Sequence, residues 1–138
     1  MKGIADTGFL VAFANRDDAH HEWAVGLASR VTEPLLTCEE VLAETAFHLQ
    51  DTSIALAMVG DRLVALAFDC NDHVLQLHTL AKRYADRHPD LADLCLVRMS
   101  ELYPRHSVIT VDGDFRVYRR NKRETIPVIL PPATTGRR

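Results

Sequence analysis

Four short apolar runs, spread among longer stretches of helical periodicity, constrain this chain more than any other feature of its sequence. Residues 2–5, 35–37 (just after Pro34), 107–111 and 128–130 (beyond Pro127) are too brief for helices and read as buried strands. The stretches between them have helical spacing. Residues 9–14 follow the Thr7-Gly8 turn, and 19–30 follow the capping candidates Asp17 and Asp18, with Trp23 and Leu27 on one face. Val41, Leu42, Thr45, Ala46 and Leu49 make one apolar face over 39–50. Residues 53–68 continue as helix with Gly60 as a break, and 72–87 bury Val74, Leu77, Leu80, Ala81 and Tyr84. After Pro89, residues 91–102 place Leu91, Cys95, Met99 and Leu102 on the buried side. Strands separated by helices pair in parallel under helices on both faces. The expected class is therefore α/β, and its site is expected beyond the carboxyl ends of the strands.

Composition narrows the function classes. At 138 residues the chain makes one domain with a continuous core, expected over 1–130, and 131–138 (Pro-Pro-Ala-Thr-Thr-Gly-Arg-Arg) is expected to be a disordered tail. Cys38, Cys70 and Cys95 are far apart and odd in number, which suits reduced thiols in the cytoplasm. Asp6 interrupts the apolar opening, so a signal peptide is not expected, nor is a membrane span. The net charge of −3 conceals an uneven distribution: residues 105–138 carry eight Lys/Arg against three acids, a local +5 on a body of −8. Such an end can dock a polyanion or be a solvated face.

The carboxylates carry the chemistry. Asp6 directly follows the first strand, and Asp112 follows the Ser-Val-Ile-Thr-Val strand, so both belong at the carboxyl edge of the sheet. Each alone is explained as a helix cap. Glu44 lies well off the apolar face of its helix, sharing a stripe with Glu40 and His48. Asp93 sits at the border of its helix's apolar face, one turn after Asp90, where an acid suits the helix dipole. Together these acids would repel, and a divalent cation removes the conflict. All-oxygen sites suit Mg²⁺ or Mn²⁺.

The opening Ile-Ala-Asp-Thr-Gly-Phe-Leu-Val-Ala-Phe, the Thr-Cys-Glu-Glu-Val-Leu-Ala-Glu-Thr-Ala-Phe-His-Leu helix, the block Asp-Leu-Ala-Asp-Leu-Cys-Leu-Val-Arg-Met-Ser-Glu and the Thr-Val-Asp-Gly-Asp-Phe turn follow one another in a familiar order. In order and spacing they resemble PIN domains, and most of all the VapC-type toxins of bacterial toxin–antitoxin pairs. The resemblance implies a Rossmann-like three-layer α/β/α fold and a Mg²⁺- or Mn²⁺-dependent endoribonuclease. It assigns the catalytic and metal-holding acids to Asp6, Glu44, Asp93 and Asp112, with Thr7 and Thr110 in support. Asp90 competes with Asp93, Asp114 with Asp112, and Glu40 more weakly with Glu44. Proteins of this kind are held by a cognate antitoxin and form homodimers.

Competing chemistries have less support. The chain has no phosphate-loop or dinucleotide glycine pattern, its seven histidines lack zinc spacing, and no serine sits in a nucleophile elbow. The histidines read as ordinary polar residues. A receiver domain would need a lysine near its last strand, and Lys122 lies in a charged loop instead. Arg116, Arg119, Arg120 and Arg123 are the candidates for RNA phosphates, with Tyr118 free to stack on bases and Phe115 packed in the core. The alternative to an enzyme is a non-catalytic module of the same fold that binds RNA or a protein partner.

Overall fold

The computed structural model describes residues 1–133. A five-stranded, wholly parallel sheet runs in the order β3-β2-β1-β4-β7. Its strands are β1 (Gly3–Ala5), β2 (Leu35–Thr37), β3 (Val64–Leu66), β4 (Ser107–Ile109) and β7 (Val128–Ile129). Six helices flank it: α1 (Thr7–Ala14), α2 (His21–Ala28), α3 (Glu39–Leu49), α4 (Thr52–Gly60), α5 (Val74–Arg83) and α6 (Leu91–Leu102). A two-stranded antiparallel hairpin, β5 (Arg119–Arg120) with β6 (Glu124–Thr125), precedes the last strand.

β1 holds the centre, with Ile4 opposite Leu36 on one side and Val108 on the other. Ile4, Ala5, Leu35, Val108 and Ile109 are fully buried, as strands covered on both faces must be. Thr37 ties β2 to β1 at the carboxyl end, its Oγ1 donating to the Ala5 carbonyl at 2.9 Å.

Four elements differ from the sequence reading, the first being α5, where Val74 is exposed and Leu77 and Leu80 make the buried face. Residues 63–68 do not continue the preceding helix; α4 ends at Gly60, Arg62 turns through φ 65°, and Val64–Leu66 becomes the edge strand β3. The hairpin β5–β6 occupies what reads as a basic loop, with Asn121 and Lys122 both in the left-handed region at its turn. On α6, Leu91 and Leu102 are exposed, whereas Ala92, Leu94, Cys95, Leu96, Val97, Met99 and Ser100 are buried. That helix packs on β1 and β4 as well as on α3 and α5, so more than one face is covered. Of the expected tail, Pro131, Pro132 and Ala133 lie near His20 and Trp23, and residues 134–138 fall outside the described residues.

Candidate active site

Two chain reversals at the carboxyl edge of the sheet set the positions of Asp6 and Asp112. Asp6 leaves β1 in extended conformation and caps α1, its Oδ1 accepting from the Thr7 N–H at 2.7 Å. Asp112 leaves β4 and caps a single helical turn (Gly113–Arg116), its Oδ1 accepting from the Asp114 N–H at 2.8 Å. Thr110 joins the two: its hydroxyl donates to Asp6 Oδ2 at 2.6 Å and accepts from the Asp112 N–H at 2.9 Å. Capping and site geometry are thus the same hydrogen bonds.

Glu44 arrives from α3, where the Thr7 hydroxyl donates to its Oε1 at 2.9 Å. Asp93 arrives from the first turn of α6, forming a reciprocal cap with Asp90, whose N–H lies 3.4 Å from Asp93 Oδ2. One cavity of about 430 Å³ takes Asp6, Glu44, Asp93 and Asp112 in its wall, together with Thr7 and Asp90. Thr110 lies behind it, fully buried, and Glu40 and Asp114 are not in its lining. Gly8 also lines the cavity, and the position suits glycine because a Cβ there would clash with the side chain of Val111.

The electrostatics are unbalanced. Asp6 is 6% exposed, and burial pushes its carboxyl up to about 6 despite the hydrogen bonds from Thr110 and Thr7, with Asp112 and Glu44 adding repulsion. Asp93 is pushed up to about 7, first by burial and then by the charges of Asp6, Asp112 and Asp90. No Lys or Arg lines the cavity among the described residues; His20 and His48 are its nitrogen-bearing side chains.

His20, His48 and Asp18 are polar lining residues to which the sequence reading gave no site role, Asp18 being named there only as a helix cap. His48 stands one turn after Glu44, so the shared helix stripe was the available signal. His20 and Asp18 come from the turn before α2, where the Asp18 side chain accepts from the His20 N–H; nothing in the spacing marks that loop.

The basic segment divides. Arg116 and Arg123 are exposed. Arg119 turns back to donate to the carbonyls of Arg116, Val117 and Tyr118 at 2.7–3.2 Å. Arg120 is 6% exposed, donating to the Ser100 and Pro104 carbonyls and pairing with Glu124, so its guanidinium locks the hairpin to the end of α6. Tyr118, expected to be free for stacking, is instead in the core, edge-on to Tyr84 and Phe115 at 5.0 and 5.4 Å. A ring so covered cannot reach a base.

A short-stranded parallel α/β domain, with carboxylates from four elements gathered at the carboxyl edge of its sheet, is the class defined so far. The family model described as PIN domain matches residues 4–121, and the chain belongs to the PIN domain family. A solved structure agrees in fold: the Mycobacterium tuberculosis toxin VapC20, described as cleaving the sarcin-ricin loop, superposes with a TM-score of 0.71. It shares 23% sequence identity, over 83% of this chain and 92% of that one. No curated protein matches the sequence significantly. No helix among the described residues is long and apolar enough to cross a membrane.

Proposed function

We propose that this chain is a divalent-metal-dependent endoribonuclease acting in the cytoplasm as the toxin of a toxin–antitoxin pair. The observation that carries the reading is the convergence of Asp6, Glu44, Asp93 and Asp112 on one cavity, two of them with proton affinities raised by burial and mutual charge. Such a donor set fits Mg²⁺ or Mn²⁺: it is all hard oxygen, and the cavity leaves room for the waters these ions retain. Among the described residues no three of these carboxylates bring oxygens within 4.8 Å of one another, which suits an ion held partly through water. When bound, the ion supplies positive charge that offsets the negative charge developing on a phosphodiester under attack.

The protein's own groups do the positioning. Thr7 orients Glu44, while Thr110 fixes Asp6 and Asp112 relative to each other. Carboxylates held this way can orient a water for attack and accept its proton. Asp93, close enough to feel the charges of Asp6 and Asp112, has its proton affinity raised to about 7. Arg116 and Arg123 are the side chains we assign to flanking RNA phosphates. A protein antitoxin and a second copy of the chain are the partners proposed, and Phe47 (77% exposed) and Leu75 (80% exposed) offer apolar surface for them.

The test is cleavage of RNA, a sarcin-ricin loop hairpin among the substrates, by purified protein with Mg²⁺, Mn²⁺ or a chelator. Cleavage is expected with either metal and not with the chelator. Asp6→Asn keeps the capping oxygen and removes a buried charge, so the variant should fold cooperatively and melt no lower than wild type at neutral pH, yet lose at least about 10²-fold in rate, the scale on which one essential acid–base group acts. Wild-type cleavage by Asp6→Asn would remove the residue from the site. Metal-independent binding of RNA without cleavage would favour the non-catalytic module.

A further inference from the structure

Away from the acid cavity, a second cluster of ligating side chains lies between α3 and α6. Cys38 ends β2 and caps α3, Glu40 stands in the first turn of α3, and Cys95 projects from the middle of α6. One ligand atom from each, two Sγ and one carboxylate oxygen, all lie within 4.8 Å of one another. None of the three lines the acid cavity. Cys95 follows Asp93 by two residues, roughly 200° around the helix, so the two side chains leave α6 on nearly opposite sides.

We propose that Cys38, Glu40 and Cys95 form a separate binding site for a thiophilic divalent cation of the Zn²⁺ class. Both thiols are wholly buried, and buried free cysteines are commonly just small apolar core residues. Glu40 breaks that simpler account. Its Oε1 is buried and has no hydrogen-bond partner among the described residues. A carboxylate oxygen sequestered without a donor costs stability, and a nearby thiol, a weak donor that forms no hydrogen bond to it here, offsets little of that cost. A cation coordinated by that oxygen and both sulfurs removes the cost.

The donor set selects the ion. Mg²⁺ takes oxygen ligands and discriminates against sulfur, so this cluster and the acid cavity call for different metals. Zn²⁺ takes thiolate at about 2.3 Å and carboxylate at about 2.0–2.2 Å, which puts ligand atoms roughly 3.5–3.8 Å apart around a tetrahedral ion. The cluster needs only a small inward side-chain movement to reach that. Glu40 is the one member with solvent exposure, so a water on its side would complete the fourth position. An ion here would tie α3 to α6, the helices that carry Glu44 and Asp93. The site does not depend on the nuclease reading.

Cobalt(II) is the probe, because thiolate ligation gives it near-ultraviolet charge-transfer absorption that carboxylate ligation does not. Reduced full-length protein, in excess Mg²⁺ to fill the acid cavity, is titrated with Co²⁺. One equivalent should develop the absorption in the wild type and in Asp6→Asn, and Zn²⁺ should abolish it. Cys95→Ser should remove it and Cys70→Ser should leave it. Glu40→Gln, which keeps both core thiols, should weaken Co²⁺ binding at least about tenfold, a loss seen even for groups that only support a metal ligand. Absence of the absorption in the wild type would overturn the proposal, as would wild-type affinity in Glu40→Gln or loss of signal in Cys70→Ser. Formation of a Cys38–Cys95 disulfide in air, with no cobalt band from the reduced protein, would overturn it in favour of a redox pair.

Discussion

Thr110 sits where two acids meet, and one hydroxyl serves both. Thr110→Val deletes the donor to Asp6 and the acceptor of the Asp112 N–H, so it should cost about 1–3 kcal/mol by denaturant titration. Thr110→Ser keeps both bonds and should stay close to wild type. Because the Thr110 bond is the strongest influence lowering the Asp6 proton affinity, its loss should move the acid limb of the cleavage profile to higher pH. Stability should also depend on pH in an unusual direction. Asp6 and Asp93 bind protons more tightly folded than unfolded, so stability is full below about pH 4 and falls as pH rises through about 6 and then 7. For Asp6, nearly completely buried, the loss is about 3 kcal/mol at ~1.4 kcal/mol per tenfold in proton affinity. Asp93→Asn can still accept from the Asp90 N–H. It should flatten the metal-free melting temperature above pH 6 and blunt the rise that Mg²⁺ produces in the wild type. A variant as steep as the wild type would show that Asp93 titrates normally. At this scale the sequence placed Asp6 and Asp112 by a general rule about strand ends. Glu44 and Asp93 were singled out from their helix positions, but each alone suits a solvated or capping position, and the resemblance gave them their roles. Asp18 was legible as a cap, which is part of its role, but its place in the cavity wall and that of His20 were not, because a loop of irregular backbone brings them in.

Among the elements, the start of α1 lies directly against the turn that follows β4. Gly8 lies in the first turn of α1, against Val111. Gly8→Ala gains helix propensity of ~1 kcal/mol yet drives a methyl into that side chain, so a net loss of ~1–2 kcal/mol is expected. Adding Val111→Ala should recover most of it, and the coupling is read from a double-mutant cycle. Additive effects would mean the two do not touch. The elements themselves were legible where pattern and length agreed: β1, β2, β4, α3 and α6 lie within a residue or two of where apolar spacing put them. β3 was hidden because 63–68 is apolar throughout, with neither alternation nor helical stripe, and only pairing with β2 decides its state. The β5–β6 hairpin has polar two-residue strands, and its turn uses Asn121 and Lys122 where a glycine would have given it away. Arg120 looked like one more surface charge for the same reason, since burial through an ion pair and two carbonyls leaves no trace in spacing.

For the whole molecule, the uneven charge makes a prediction that separates RNA contact from simple solubility. Arg116→Ala with Arg123→Ala leaves the inward-turned Arg119 and Arg120 in place. RNA affinity should fall alike for all sequences, and the dependence of log affinity on log salt should become shallower by roughly 1.4, at ~0.7 per lost phosphate contact. An unchanged slope would assign these arginines to a protein partner or to the solvent. The central position of β1 has a different consequence, one of timing. Asp6, the acid that strand carries at its end, is made before the threonine that holds it, which lies 104 residues further along the sequence. Closing so long a loop has an entropic cost, and pairing of that range comes late in folding. A nascent chain therefore carries Asp6 and Glu44 out of the ribosome long before Thr110 and Asp112 exist to complete the cavity. On the proposed reading, a site that needs Thr110 and Asp112 cannot act on the messenger and ribosome that are making it until translation has passed β4.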